Sequence, residues 1–202
     1  MSKKDDIQPK VRNDLMKATF RALCKHGYAD ITMKKIADES DKCKSTLHYH
    51  YGTKENLMVD FIKYLLEGFE EKIVPDSDDP LEKLNGLIDR MLFGLQEGDI
   101  HERFHTALLE LRSQAPYNEK YREQITKNDE YIQNILKDII NEGVQEGRFK
   151  DVDPEITSTI ILSSIDGARA RQISTNREAA ENVREALRRI IENDIIKDQS
   201  SE

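Results

Sequence analysis

The chain of 202 residues has only two cysteines and five prolines, and it lacks an apolar run of about 18 residues. Cys24 and Cys43 do not make a disulfide framework, which suits a reducing cytoplasm. Without a long apolar run or a signal-peptide pattern, the sequence predicts no membrane span, no secretion and a cytoplasmic location. Helix-forming residues dominate, and the prolines fall at predicted helix starts or breaks, so the sequence predicts an all-α fold.

Catalytic signatures are also missing from the sequence. There is no Gly-rich phosphate loop, no nucleophile elbow and no Cys/His zinc pattern, so neither an enzyme nor a bound cofactor is expected. His101 and His105 lie one turn apart on a predicted helix, which is the spacing of two metal ligands on one face. No third ligand is evident nearby, and we interpret them as a surface pair, not as a metal site.

Charge is divided unevenly along the chain. The net charge is −8, which by itself argues against nucleic-acid binding. Residues 1–54, however, carry twelve Lys/Arg against seven Asp/Glu, a net charge of +5, whereas the remaining 19 basic and 32 acidic residues leave −13. This asymmetry indicates a basic head at 1–54 and an acidic body at 55–202. The acidic body would repel DNA and confine contact to the head.

Residues 32–57 carry the most informative pattern. They predict a short helix from Thr32 to about Glu39, a polar turn, and a second helix from about Lys44 to His50. A break at Gly52-Thr53 then opens a longer helix. Two short helices joined by such a turn form a helix-turn-helix, whose second helix is sized for a DNA major groove.

The candidate DNA contacts are the donors and flat rings of this motif. A helix as short as the second one buries too little to explain its adjacent aromatic-type side chains by packing. Lys44 and Thr46 are expected to contact base edges, whereas side chains that cap helices or carry a positive charge are expected to contact phosphates. The full set comprises Thr32, Lys42, Cys43, Lys44, Thr46, His48, Tyr49, His50 and Lys54, of which Thr32, His48 and Lys54 are the phosphate contacts.

The motif resembles the DNA-binding motif of the TetR family of transcriptional repressors. The matching positions, in register, are Thr32, Ile36-Ala37, Lys44, Thr46-Leu47, Tyr51, Gly52, Lys54 and Leu57. The chain departs from the family pattern at Asp41, Lys42, Cys43 and His48, where the family has Gly, Val, Ser and Tyr. The body is similar to the choline-responsive repressor subgroup in Gly143-x-x-x-Gly147-x-Phe149, in Asp153-Pro154 and in Ile165-Asp166-Gly167.

This resemblance implies a three-helix head followed by a helical body that binds a ligand and dimerises. About nine helices are expected, at 9–26, 32–39, 44–50, 54–74, 80–96, 100–113, 117–147, 153–174 and 178–196. Two heads of a homodimer would bind a palindromic double-stranded operator, and a small-molecule inducer would release it.

The inducer pocket is expected between the body helices and the helix that follows the head. Its candidate lining is Phe61, Leu65, Met91, Phe104, Leu108 and Ile135, which are equally ordinary core residues. This lining favours an apolar inducer, whereas Glu110 and Asp166, if they face inward, favour a cationic one. The dimer is expected to form a four-helix bundle from the last two helices, with a seam at Ile161, Ile165, Leu187, Ile191 and Ile195.

Two other functions fit parts of the sequence. Cys43 lies between Lys42 and Lys44 at a helix start, where a thiol pKa is lowered, so the protein could sense oxidation instead of a ligand. Alternatively, the head could be the protein-binding surface of a helical scaffold. Steep salt dependence of DNA binding would separate operator binding from the scaffold.

Overall fold

The computed structural model describes residues 7–40, 44–70, 73–94 and 99–197. In these ranges the fold is all-α, and its nine α-helices confirm the predicted class and number. The helices are α1 Pro9–Asp30, α2 Met33–Asp38, α3 Lys44–Tyr51, α4 Lys54–Glu70, α5 Pro80–Phe93, α6 Asp99–Gln114, α7 Glu119–Gln145, α8 Pro154–Ser174 and α9 Ala179–Ile190. A 3-10 turn at Ala115–Tyr117 and a π-helical turn at Ile191–Ile195 complete the helical structure.

Proline and aspartate start two helices of the body. Pro80 and Pro154 occupy the first position of α5 and α8, where the missing amide of proline is not needed. Each follows an aspartate N-cap. Asp79 accepts from the Leu81 amide at 3.0 Å, and Asp153 accepts from the amides of the second and third helical residues at 2.9 and 3.1 Å.

Gly27 directly follows the helix expected at 9–26, but it interrupts α1 and does not end it. Its φ of 69° and ψ of 169° are not helical, and the chain resumes helical geometry up to Asp30. A side chain at this left-handed φ would be strained, and its Cβ would lie 3.2 Å from a carboxylate oxygen of Glu110.

The chain divides into two compact units, and the first combines Met1–Gly68 with Glu102–Asn128. Its core is formed by apolar side chains of α1 to α4 that meet α6 and the start of α7. The principal members are Leu15, Met16, Ala22, Ile36, Leu47, Leu57, Met58, Phe61, Leu111 and Tyr121. Because α2 and α3 are short, Ile36 and Leu47 are their main anchors, and both are completely buried.

The second unit combines Phe69–His101 with Asp129–Glu202. Its core comprises side chains of α5, the later part of α7, α8 and α9, together with side chains of connecting segments and of the π-helical turn. The principal members are Ile73, Leu84, Leu87, Met91, Leu136, Ile140, Phe149, Ile161, Ile165, Leu187, Ile191 and Ile195. An isolated antiparallel bridge joins Phe149 to Ile196. Among the residues that the structure describes, no helix has the length and apolarity needed to cross a bilayer.

The predicted dimer seam requires a correction at the level of residues. Ile161, Ile165, Leu187, Ile191 and Ile195 are 0–3% exposed within a single chain. Their side chains pack against their own unit, so they have no surface to offer a second protomer. The periodicity that singled them out marks the buried stripe of α8 and α9, and a dimer face on these helices must use other residues.

The predicted pocket residues are distributed over both units. Phe61, Leu65 and Leu108 belong to the first unit, and Met91 and Ile135 belong to the second. Phe61 and Met91 are buried core residues. The side chains of Phe104 and His101 lie outside the described part of the structure. The inducer pocket and the domain boundary after residue 54 stay predictions.

Candidate nucleic-acid interface

The two short helices of the head are placed by a cap and by apolar anchors. The Thr32 hydroxyl accepts from the Lys35 amide at 3.2 Å and thereby caps the N-terminus of α2. Lys44 begins α3, although its side chain lies outside the described part of the structure, as do Lys42 and Cys43 of the turn. Because buried Leu47 turns one face of α3 inward, the opposite face is directed to solvent.

That outer face carries several of the predicted contacts. His48 and Tyr49 are exposed, whereas Thr46 and His50 are half-buried. The Tyr49 side chain is 68% exposed, and its ring meets that of His50 edge to face at 5.1 Å and 81°. His48 Nδ1 lies 3.1 Å from the Gly52 carbonyl oxygen. Since a carbonyl can only accept, Nδ1 donates, and this bond closes the end of α3.

Lys54 has a different environment from the rest of the predicted set. Its Nζ lies 4.5 Å from the centre of the Tyr28 ring and 3.5 Å from the Tyr28 carbonyl oxygen. The cation therefore packs against the end of α1. Thr53 caps α4 by accepting from the Asn56 amide at 3.2 Å. A phosphate contact by Lys54 stays a prediction.

A hydrogen-bonded network that sequence reasoning missed fixes the end of α3. The Tyr51 hydroxyl donates to Asp60 Oδ2 at 2.8 Å, and Arg12 donates to both oxygens of Asp60 at 3.1 and 3.0 Å. Arg12 also donates to Glu67 Oε2 at 2.6 Å. Three helices are thus joined at one carboxylate. The sequence signal was slight: Asp60 is an acid beside apolar Phe61, and Arg12 lies 48 positions away.

The pKa values of the network reflect its burial. Burial raises the pKa of the Tyr51 phenol, and the neighbouring negative charge of Asp60 raises it further. Burial by itself would lower the pKa of Arg12, but its bonds to Asp60 and Glu67 outweigh this and raise it. Tyr51 therefore stays protonated as a donor, and Arg12 stays charged.

Within the first unit, α6 and α7 hold the last turn of α1. A carboxylate oxygen of Glu110 accepts from the Tyr28 amide. The hydroxyls of Tyr28 and Tyr121 lie 3.2 Å apart, and their rings meet edge to face at 6.2 Å. Lys120 Nζ donates to Asn56 Oδ1 at 3.0 Å. These contacts set the orientation of the helix-turn-helix within this unit.

Solved structures with similar folds include transcriptional regulators. A TetR transcription regulator from Haloarcula marismortui is 41% identical, with 91% of this chain and 97% of that chain covered and a TM-score of 0.82. A transcriptional regulator from Saccharomonospora viridis, solved in complex with choline, is 20% identical with a TM-score of 0.81, over 95% of this chain and all of that one. At that identity the second likeness is one of fold alone.

Sequence comparisons agree with the structural ones. The fatty acid metabolism regulator protein of Bacillus subtilis (strain 168) is 27% identical over 156 residues, which cover 75% of this chain and 78% of the relative. Residues 15–60 match the family of bacterial regulatory proteins named tetR, and residues 80–195, more than half of the chain, match the C-terminal family of BetI-type transcriptional repressors. The chain belongs to the TetR family of transcriptional regulators, with a BetI-type C-terminal region.

Proposed function

We propose that the protein is a repressor that binds palindromic operator DNA as a homodimer and is released by a small-molecule inducer. The observation that carries this proposal is the outer face of α3. It presents exposed His48 and Tyr49 on a helix whose opposite face is buried and whose end is held by the Tyr51–Asp60–Arg12 network. Such a rigid, polar face is what direct readout of a major groove requires.

In the proposed complex, Lys44 and Thr46 contact base edges, and Thr32, His48 and Lys54 contact phosphates. The net charge of +5 on residues 1–54 supplies the attraction, and the acidic body keeps the duplex at the head. The protein acts in the cytoplasm, and no catalytic step belongs to the proposal.

A homodimer through α8 and α9 is supported by the apolar side chains that these helices leave in solvent. Ile156 and Ile160 of α8 are 60% and 50% exposed, and Ile190 of α9 is 39% exposed. The two residues of α8 are one turn apart on the same face. A second copy that covers this face would remove their apolar area from water. Two heads would then face successive major grooves, roughly 34–36 Å apart.

The proposed inducer is apolar. The expected lining of its pocket is apolar, and the two carboxylates that would favour a cation already make contacts: Glu110 accepts from the Tyr28 amide, and Asp166 lies 3.9 Å from Arg169. Choline, which is bound in the solved Saccharomonospora viridis structure, represents the alternative of a cationic inducer. Thermal stability measured with fatty acids and with choline distinguishes the two, since only a bound ligand raises the melting temperature.

Selection of bound sequences from genomic fragments tests the DNA-binding proposal. The selected sites should be palindromic, and affinity for them should fall steeply as salt rises, because phosphate neutralisation releases counterions. Tyr49→Ala is expected to weaken operator binding about tenfold, which corresponds to about 1.4 kcal/mol. Tyr117→Ala is the matched control, because Tyr117 is 89% exposed on the 3-10 turn. No retained DNA at low salt would refute the proposal.

The dimer face has its own test. Ile160→Asp should convert a dimer to a monomer in size-exclusion chromatography with light scattering, because burying the new carboxylate would be unfavourable. Thr126→Asp, at an exposed position of α7, should leave the dimer intact. A wild-type protein that is monomeric at operator-binding concentrations would contradict the proposed dimer.

A further inference from the structure

The first unit contains a half-open cleft of about 630 Å³ beside the end of α3. Its walls include Tyr49 and His50 of α3, Asn56 of α4, and Lys120, Glu123 and Lys127 of α7. We propose that this cleft binds a flat organic anion of the aromatic carboxylate class, and that the bound anion opposes DNA binding. The volume lies within the range of roughly 300–1,000 Å³ that small-molecule sites have.

The α7 wall favours a negative ligand. Lys120, Glu123 and Lys127 are spaced by three and four residues, so they share one face of α7. Lys120 Nζ is held at the wall by its bond to Asn56 Oδ1 at 3.0 Å. Within the described ranges, neither lysine has a carboxylate within 4.0 Å, and Glu123 alone does not neutralise two cations. The cleft therefore has a net positive charge that an anionic group would balance.

The opposite wall favours a flat ligand. Tyr49 and His50 present two rings at 81° to each other with their centres 5.1 Å apart, and Tyr51 also lines the cleft. A planar ring can stack on one of these rings while it meets the edge of the other. An aromatic ring that carries one carboxylate would thus contact the rings of α3 and the cations of α7 at the same time.

The shape of the cleft distinguishes this ligand from DNA. A duplex presents a convex surface with a major groove about 12 Å wide, whereas the cleft is concave and its walls come from three helices. Glu123 also lies between the two lysines along α7, and a row of phosphates would be repelled by it. A small anion can place its charge at one lysine and its ring away from Glu123.

The effect on DNA rests on the function proposed above. His48 and Tyr49 line the cleft and are also proposed DNA contacts, so a ligand held against these side chains competes with the operator for them. Because the coupling of two binding free energies is reciprocal, operator DNA must weaken anion binding by the same factor. Among the residues predicted for the inducer pocket, none whose side chain the structure describes lines this cleft, so the two sites are different.

The chain contains no tryptophan, so Tyr49→Trp places a single emitter at the cleft. The probes are 4-nitrobenzoate, a flat anion that quenches tryptophan, and the neutral isostere 4-nitrobenzamide. In the full chain without DNA, we expect saturable quenching by the acid and at least fivefold weaker binding of the amide. Linear quenching, or equal binding of the two probes, overturns the proposal.

Charge removal locates the site. In the Tyr49→Trp background, Lys120→Gln and Lys127→Gln should each raise the Kd for 4-nitrobenzoate at least fivefold. Arg122→Gln is the matched control, because Arg122 is an exposed cation of α7 that does not line the cleft. An unchanged Kd in both lysine variants, or an equal loss in the arginine variant, overturns the proposal.

DNA measurements separate this site from the proposed function. With Tyr49 retained, 4-nitrobenzoate should weaken operator binding severalfold, and Lys127→Gln should require at least fivefold more of the probe for the same effect. If each lysine variant instead lowers the salt slope of operator binding by about 0.9 and leaves probe binding unchanged, the lysines contact phosphates and the cleft proposal fails. Saturable probe binding in a protein that retains no DNA would support the anion site and overturn the proposed repressor function.

Discussion

Asp60→Asn is expected to lower the free energy of unfolding by about 2–3 kcal/mol, because a hydrogen bond to a charged group contributes about 1.5–3 kcal/mol. The Asp60 carboxylate accepts one bond from Tyr51 and two from Arg12, and its side chain is only 15% exposed. Asparagine keeps one carbonyl oxygen, which can accept part of this set, and it has no charge to balance Arg12. Water has limited access to the site, so it cannot fully replace the hydrogen bonds that asparagine does not accept.

Glu67→Gln is the matched control for the same arginine. Glu67 makes a single bond to Arg12, and its side chain is 39% exposed. Solvent can replace that contact, so we expect a loss below about 1 kcal/mol. Urea unfolding followed by circular dichroism, at one protomer concentration for all variants, measures both values.

Operator affinity gives a second measurement on the same two variants. Asp60→Asn should weaken operator binding, because the Tyr51 hydroxyl at the end of α3 then loses its charged acceptor. Glu67→Gln should bind as the wild type does. Equal stabilities for the two variants would refute the reasoning, since they would mean that burial and the number of bonds do not decide the effect.

Two further predictions concern packing and ionisation. Gly143→Ala should destabilise the protein by about 1–3 kcal/mol in urea unfolding, because the new Cβ would overlap the Phe149 ring. The control Asn141→Ala, at an exposed position of the same helix, should be neutral or stabilising. A larger loss of stability in Asn141→Ala than in Gly143→Ala would contradict the packing argument. Burial raises the pKa of Tyr51 and of Tyr121, so the stability that their protonated phenols contribute is complete below pH 10, near the ordinary tyrosine pKa, and is lost as the pH rises above it. Accordingly, Tyr51→Phe and Tyr121→Phe should leave the rise in absorbance at 295 nm between pH 9 and 11 unchanged, and a smaller rise in either variant would show that its tyrosine ionises normally.

Local patterns predicted the helices closely. The expected helix at 44–50 is observed at Lys44–Tyr51, the one at 153–174 at Pro154–Ser174, and the one at 117–147 at Glu119–Gln145. Caps, prolines and the spacing of apolar residues act within a few positions of the chain, so they can be read without coordinates. The helix predicted at 54–74 is described from Lys54 to Glu70, and residues 71 and 72 lie outside the described ranges.

The sequence by itself determined the all-α class, the helix-turn-helix, the basic head and the family, because each depends on neighbouring residues or on composition. Only the tertiary structure decided which apolar stripe of α8 is buried, since Ile161 and Ile165 pack inside while Ile156 and Ile160 remain exposed. It also joined Arg12 to Asp60 across 48 positions and placed Lys120 beside α4. Such contacts depend on how helices pack, and a single sequence does not specify which distant side chains that packing brings together.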